Sequence, residues 1–276
     1  MYSQPGTLRE ALEVLERSDA CVIAGGTDVY PAMAPGRQPA AFLDVTRIAG
    51  LAEIKQSPAG VRFGAAVTWS DIARLADLPP AFDALRQAAR EVGSLQIQNA
   101  GTIAGNICNA SPAADGVPVL LALEAEVELS SAARGRRSLP VGAFITGVRQ
   151  TALEPGELVT AITVPHPPAG MRSAFEKLGA RRYMVISIAM VAALVRLGSD
   201  GRIAEARIAV GACSAVAQRL PGLETDLIGA DPRDIAIAAE HLSPLSPIDD
   251  VRGTAAYRLD AVGQQIRRAV MRAAQP

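Results

Sequence analysis

The sequence predicts an α+β protein in two parts, and three observations carry that expectation. Helix signals with capping residues alternate with short apolar runs that glycine turns cut off at strand length. Pro165, Pro167, Pro168 and Gly170 then interrupt the chain, because proline fixes φ and removes a backbone donor. Past that break, apolar strands come first and an amphipathic helix comes last. The expected division is 1–166 and 171–276.

Each element has its own warrant. Thr7 followed three residues later by Glu10 is a capping box, and Leu8, Ala11, Leu12 and Leu15 repeat at helical spacing, so a helix opens the chain. Cys21 to Ala24 is a short buried strand running into a glycine turn, and "AFLDVTRI" is another strand. "VRFG" ends a strand near Gly64, after which Thr68 and Asp71 cap a helix carrying Ile72 and Leu75. The next helix runs from about Ala81 to Val92 and stops at Gly93. After Asp115 a helix or turn leads into the strand of "EAEVEL", and "GELVTAITVP" is the last strand before the prolines. In the second part "SAFEKLG" and "VISIAMVAALVRL" are strands, and "GSDGR" is a hairpin turn into "IAEARIAVGAC". Asp231 and Pro232 are a cap and first-turn proline for a helix through His241. Leu259, Val262, Ile266 and Val270 mark a C-terminal helix with Arg267 and Arg268 on its wet face.

Composition narrows the function classes. With 276 residues, 49% hydrophobic and 20% charged, the chain can bury a large core. A net charge of −1 gives no general attraction to nucleic acid or anionic membrane, and Arg134, Arg136 and Arg137 are expected on solvated loops. Cys21, Cys108 and Cys213 are too few for an iron–sulfur cluster held by four thiolates and suit a reduced compartment. His166 and His241 lack metal-ligand spacing, so no metal site is expected. The N-terminus lacks the pattern of a signal peptide. The longest apolar run, from Tyr183, is bounded by Arg181, Arg182 and Arg196 and falls short of the roughly 20 residues that cross a bilayer. The expectation is a cytoplasmic protein without membrane insertion.

Two stretches remain to be explained: "VIAGGTDVYP" from Val22 and "GTIAGNICNASPAAD" from Gly101. Glycines let backbone approach a ligand closely, and successive exposed N–H groups form a concave nest suited to phosphate oxygens. Two such nests face to face would hold a diphosphate. Thr27, Thr102, Ser111, Asn106 and Asn109 add side-chain donors, and Asp115 is an acceptor for a sugar or ribityl hydroxyl. Taken singly, each stretch reads equally as an ordinary turn in a chain with 24 glycines. Neither G-x-G-x-x-G after a strand nor G-x-x-x-x-G-K-S/T occurs, which excludes Rossmann and P-loop sites.

Together with "FGAAVTWSDI", "VGSLQIQNAGTIAGNICNASPAAD", "GELVTAITVP", "FEKLGARR" and "DDVRGTAAYR", the two stretches resemble the FAD-binding subunits of the xanthine dehydrogenase and molybdenum hydroxylase family, which includes medium subunits of carbon monoxide dehydrogenases. The resemblance implies a vanillyl-alcohol-oxidase (PCMH)-type FAD-binding domain in two lobes, about 1–54 and 55–166, followed by a CO dehydrogenase flavoprotein C-terminal α+β domain. It further implies FAD as the cofactor. Ile23, Ala24, Gly25, Gly26, Thr27, Asp28, Val29 and Tyr30 would wrap the diphosphate, and Thr102, Ile103, Ala104, Gly105 and Asn106 would form the second loop. Asp115 would bond a sugar or ribityl hydroxyl, Val92 would contact the cofactor, and Leu158 or Val159 would pack near the flavin. Lys177 would stand beside the isoalloxazine, where a cation favours the reduced, anionic ring. Ala104 departs from the family's T-x-G-G-N and would be strained if the ligand required positive φ.

The resemblance implies an oxidoreductase subunit that takes electrons from iron–sulfur clusters of a small subunit and delivers them to NAD or another acceptor. Substrate would be oxidised on a molybdopterin large subunit, the whole forming a dimer of heterotrimers. Two alternatives stay open at this point: a self-contained flavin oxidase or reductase on the same fold, and an assembly subunit without cofactor.

Overall fold

A computed structural model describes residues 1–33, 38–181 and 184–275. Arg182 and Tyr183, part of the motif and of the apolar run above, lie outside the described residues.

The chain opens as a small parallel sheet. Strands β1 (Tyr2–Ser3), β2 (Cys21–Ile23) and β3 (Phe42–Asp44) pair in the order β1-β3-β2. Helix α1 (Leu8–Arg17) crosses between the first two, with the expected Thr7–Glu10 capping box in place. The short helix α2 (Val29–Ala32) follows the first glycine stretch.

A second, antiparallel sheet contains β4 (Ile54–Ser57), β5 (Gly60–Gly64), β6 (Glu126–Ser131), β7 (Gly135–Pro140) and β10 (Glu157–Pro165), in the order β4-β5-β10-β6-β7. Between β5 and β6 run α3 (Trp69–Arg74), α4 (Asp83–Glu91), α5 (Leu95–Ala100), α6 (Ile103–Asn109) and α7 (Gly116–Ala122). Thr68 and Asp71 form a second capping box at α3, whereas Leu75 falls just past its end. Helix α4 begins later than Ala81, after a 3-10 turn at Pro80–Phe82, and ends before Gly93, whose φ of 53° takes the left-handed form. The helix α8 (Val141–Phe144) leads to a two-stranded hairpin, β8 (Ile145–Gly147) and β9 (Gln150–Thr151).

The third sheet, β11-β12-β13-β14, is antiparallel: β11 (Arg172–Leu178), β12 (Ala189–Leu197), β13 (Ile203–Gly211) and β14 (Gln218–Arg219). Its side chains alternate between two cores, as strand geometry demands. Ala174, Val191, Ala193, Val195, Ile208 and Val210 pack with the C-terminal helix α10 (Ala255–Ala273). Phe175, Met190, Ala192 and Leu194 instead join the core of the first half, beneath α4 and α7. Burial of Phe175, Met190 and Leu194 contributes about 1.5–3 kcal/mol each, and the halves meet through a hydrophobic core and not through a linker.

Two expectations are corrected. No α-helix spans Asp231 to His241; the segment holds a turn and a 3-10 helix at Ala239–Leu242. Asp231 spends its carboxylate on the backbone and guanidinium of Arg233, closing a local turn in place of capping a helix. A helix the sequence reading omitted, α9 (Pro221–Asp226), comes earlier, with proline at its start. Nor do Arg136 and Arg137 lie on a loop: they belong to β7, and Arg137 clasps the buried Glu157 with Nε and Nη2, both at 2.7 Å.

That clasp carries a prediction. Glu157 also accepts from the backbone N–H of Glu154, and Arg137, the leading influence, holds its carboxyl below the usual carboxylate range. Glu157→Gln should therefore lower stability by about 1–3 kcal/mol near pH 7. Because the native carboxyl is depressed, the difference from wild type should shrink as pH falls from about 4.3 through the native value, which urea titrations at several pH values will show.

Candidate functional site

The first glycine stretch turns between β2 and α2. Gly26 has φ 67°, and Tyr30 donates its backbone N–H to the Gly26 carbonyl at 3.0 Å. A Cβ on Gly25 would lie 1.7 Å from the carbonyl oxygen of Ala100, so this residue must be glycine for the chain to pass α5. The backbone N–H groups of Gly25, Gly26, Thr27 and Asp28 donate to no acceptor among the described residues.

The second stretch is a helix start, which corrects its reading as a loop. Thr102 caps α6, its hydroxyl accepting from the N–H of Gly105 at 2.9 Å. Trp69 N–H donates to Gly101 O and Ile103 N–H to Val67 O, each at 3.1 Å, which stitches this start to the turn before α3. Ala104 sits inside the helix without positive φ, so its methyl group causes no backbone strain.

The stretches face each other across a cleft with two chambers. The first, 320 Å³, is lined by Ala24, Gly25, Gly26, Thr27, Asp28 and Val29 on one side and by Thr102, Gly105, Asn106 and Asn109 on the other. Val22, Trp69, Val92, Ile97, Gly101 and Cys108 complete it. The second, 400 Å³, shares Thr27, Asp28, Val92, Asn106 and Asn109 and adds Ser111, Asp115, Arg149 and the segment Met184 to Ile186. Both volumes suit small-molecule sites. Burial pushes the Cys108 thiol up to about 12, so it is no nucleophile.

Not every expected residue reaches this cleft. Ile23, Ile103, Ala104, Leu158 and Val159 are buried, the last two in β10. Tyr30 is exposed, and its ring lies over Gly26. Lys177 lines a separate groove with Arg90, Glu176 and Arg272. Its ammonium is 2.8 Å from Asp115 Oδ2 and 2.9 Å from the Glu91 carbonyl. Asp115 Oδ1 accepts from Ser187 at 2.7 Å. Burial drives the Asp115 carboxyl upward while Lys177 and Ser187 pull it down. Asp115, expected to accept from a sugar or ribityl hydroxyl, and Lys177, expected beside the isoalloxazine, thus form an ion pair at the edge of the second chamber. Trp69, Ile97 and Cys108 lie within the quoted motifs but were not singled out for this site, and Arg149, Met184, Val185 and Ile186 carried no recognisable signal for it.

Among the described residues no group of three or more His, Cys, Asp or Glu is arranged to hold a metal, and no helix is long and apolar enough to cross a membrane.

Known proteins match along the whole chain. Residues 1–167 fit the family model for the FAD binding domain in molybdopterin dehydrogenase, and residues 173–273 fit the CO dehydrogenase flavoprotein C-terminal domain. The nicotine 6-hydroxylase medium subunit of Paenarthrobacter nicotinovorans is 31% identical, the alignment covering 99% of this chain and 96% of the relative. The carbon monoxide dehydrogenase medium chain of Hydrogenophaga pseudoflava is 30% identical, over 98% of this chain and 95% of that one. The solved structure of carbon monoxide dehydrogenase from the same organism superposes with a TM-score of 0.88 at 30% identity, covering 99% of this chain and 96% of the other.

Proposed function

This chain belongs to the family of FAD-binding medium subunits of molybdenum hydroxylases, and from that premise we propose that it is an electron relay within a heteromeric oxidoreductase. Its FAD takes electrons from iron–sulfur clusters of a small partner subunit and passes them to NAD, oxygen or another acceptor. Substrate is oxidised on a molybdopterin-bearing large partner, and the assembly is a dimer of heterotrimers. With three cysteines the chain is short of the four thiolates that hold an iron–sulfur cluster, which supports placing the clusters on a partner.

The observation that carries this reading is the run of unbonded N–H groups from Gly25 to Asp28, residues that line the cleft together with Thr102 and Asn106. Donors without partners fit the oxygens of a diphosphate. Thr102, whose hydroxyl proton is uncommitted among the described residues, and the Asn106 amide face them from α6. The flavin supplies the redox chemistry when bound, and the chain binds, orients and shields it. A reading without cofactor loses its support, since Ala104 is unstrained.

Expressed with its neighbouring reading frames, the chain should co-purify with iron- and molybdenum-containing subunits and show visible flavin absorption. A chain that oxidises a substrate alone, without either partner, would overturn the relay.

A further inference from the structure

The cleft is poor in positive charge for a ligand with two phosphates. Among the described residues lining its chambers, Arg149 is the one cation, set against the carboxylates of Asp28 and Asp115. Lys177 neutralises Asp115, but Asp28 sits in the same turn as the unbonded amides.

Arg149 lies at the tip of the β8–β9 hairpin with φ 58°, a costly form for a side chain with Cβ. Its backbone N–H donates to the Ala110 carbonyl at the end of α6 at 2.9 Å, which fixes the tip against the helix. Its guanidinium donates to Asn109 Oδ1, and Asn109 Nδ2 donates to Asp28 Oδ1 at 2.7 Å. The Asn109 amide accepts from the guanidinium through Oδ1 and donates to the carboxylate through Nδ2, so the two ends set its orientation.

We propose that Arg149 is a positioning residue for the dinucleotide site: through Asn109 it holds the Asp28 carboxylate aside from the amides that receive the diphosphate. The inference rests on the FAD site described above and adds a device that keeps an anion in the phosphate-binding turn from repelling its ligand. The strain at Arg149 has this bond as its use.

Trp69 is the single tryptophan of the chain and lines the first chamber, so its fluorescence reports FAD binding to the deflavinated full-length protein. Quenching by FAD in the wild type, lost in Gly25→Ala, tests the site itself. Arg149→Gln should weaken FAD binding about tenfold, the size of one charge-assisted hydrogen bond. Asp28→Asn should bind FAD at least as tightly as wild type, and Arg149→Gln should have no effect in that background. Asn109→Asp, which sets two carboxylates side by side, should weaken binding further than Arg149→Gln. Equal losses from Arg149→Gln in both backgrounds, or no loss in either, would overturn the inference while leaving the site intact.

Discussion

Lys177→Met will destabilise the protein by about 3–5 kcal/mol, because it strands a buried carboxylate. The Lys177 and Asp115 side chains are 5% and 9% exposed, so water cannot take over the role of the lost ammonium. Without it, burial lifts the Asp115 carboxyl further above its unfolded value of about 3.9. The folded variant then holds the proton more tightly than the unfolded chain, so its stability falls as pH rises through that interval. The deficit should be smallest near pH 4 and grow as pH rises. Asp115→Asn added to Lys177→Met should restore most of the loss, since the amide oxygen still accepts from Ser187 and no charge remains. Urea midpoints at pH 5 and pH 8 for the single and double variants check this, and a deficit independent of pH, or without rescue, would refute it. The same pair tempers the role expected of Lys177 at the flavin. A protonated Asp115 leaves the pair neutral after the lysine is gone, so the flavin potential should move less than it would on loss of a free cation.

What the sequence disclosed depended on the range of the interaction. The boxes at Thr7 and Thr68 are local, reciprocal bonds, and both helices form where they predict. The glycine stretches were legible as backbone that must approach something closely. What they approach was only half legible: Gly25 is a glycine because of the Ala100 carbonyl as much as any ligand. Helix α6 was missed because Gly105, Asn106 and Asn109 are weak helix formers and Thr102 lacks an acidic partner at the third position. Bonds from Ile103 and Trp69 to neighbouring chain hold its start instead. Lys177 and Asp115, or Arg149 and Asn109, lie on elements that only the tertiary fold brings together, and no spacing rule joins them. Asp231 failed in the other direction: an aspartate before proline suits a helix cap and a short turn alike, and the neighbouring Arg233 decides for the turn.

Gly25→Ala will strip the protein of flavin although it adds one methyl group. The new Cβ would lie 1.7 Å from Ala100 O, 2.3 Å from its carbonyl carbon and 2.9 Å from Gly101 N, all backbone atoms that cannot rotate aside. Either the Gly25–Asp28 turn or the α5–α6 junction must move, and both line the same chamber. Overpacking of this kind costs about 1–3 kcal/mol in stability. Binding should suffer more, because the amides of the turn lose their alignment with Thr102 and Asn106: a loss of roughly a hundredfold, a little under 3 kcal/mol. Gly105→Ala separates the two effects. Its Cβ would meet only Thr102 Oγ1, at 3.0 Å, and it sits in a helix where alanine is the better former. That variant should keep its unfolding midpoint yet bind FAD more weakly, since Gly105 lines the chamber and the methyl group takes ligand space. Flavin content and unfolding midpoint measured on both proteins decide the matter. Normal flavin in Gly25→Ala would mean that the turn and helix do not approach so closely in solution, and normal flavin in both would move the diphosphate out of this cleft.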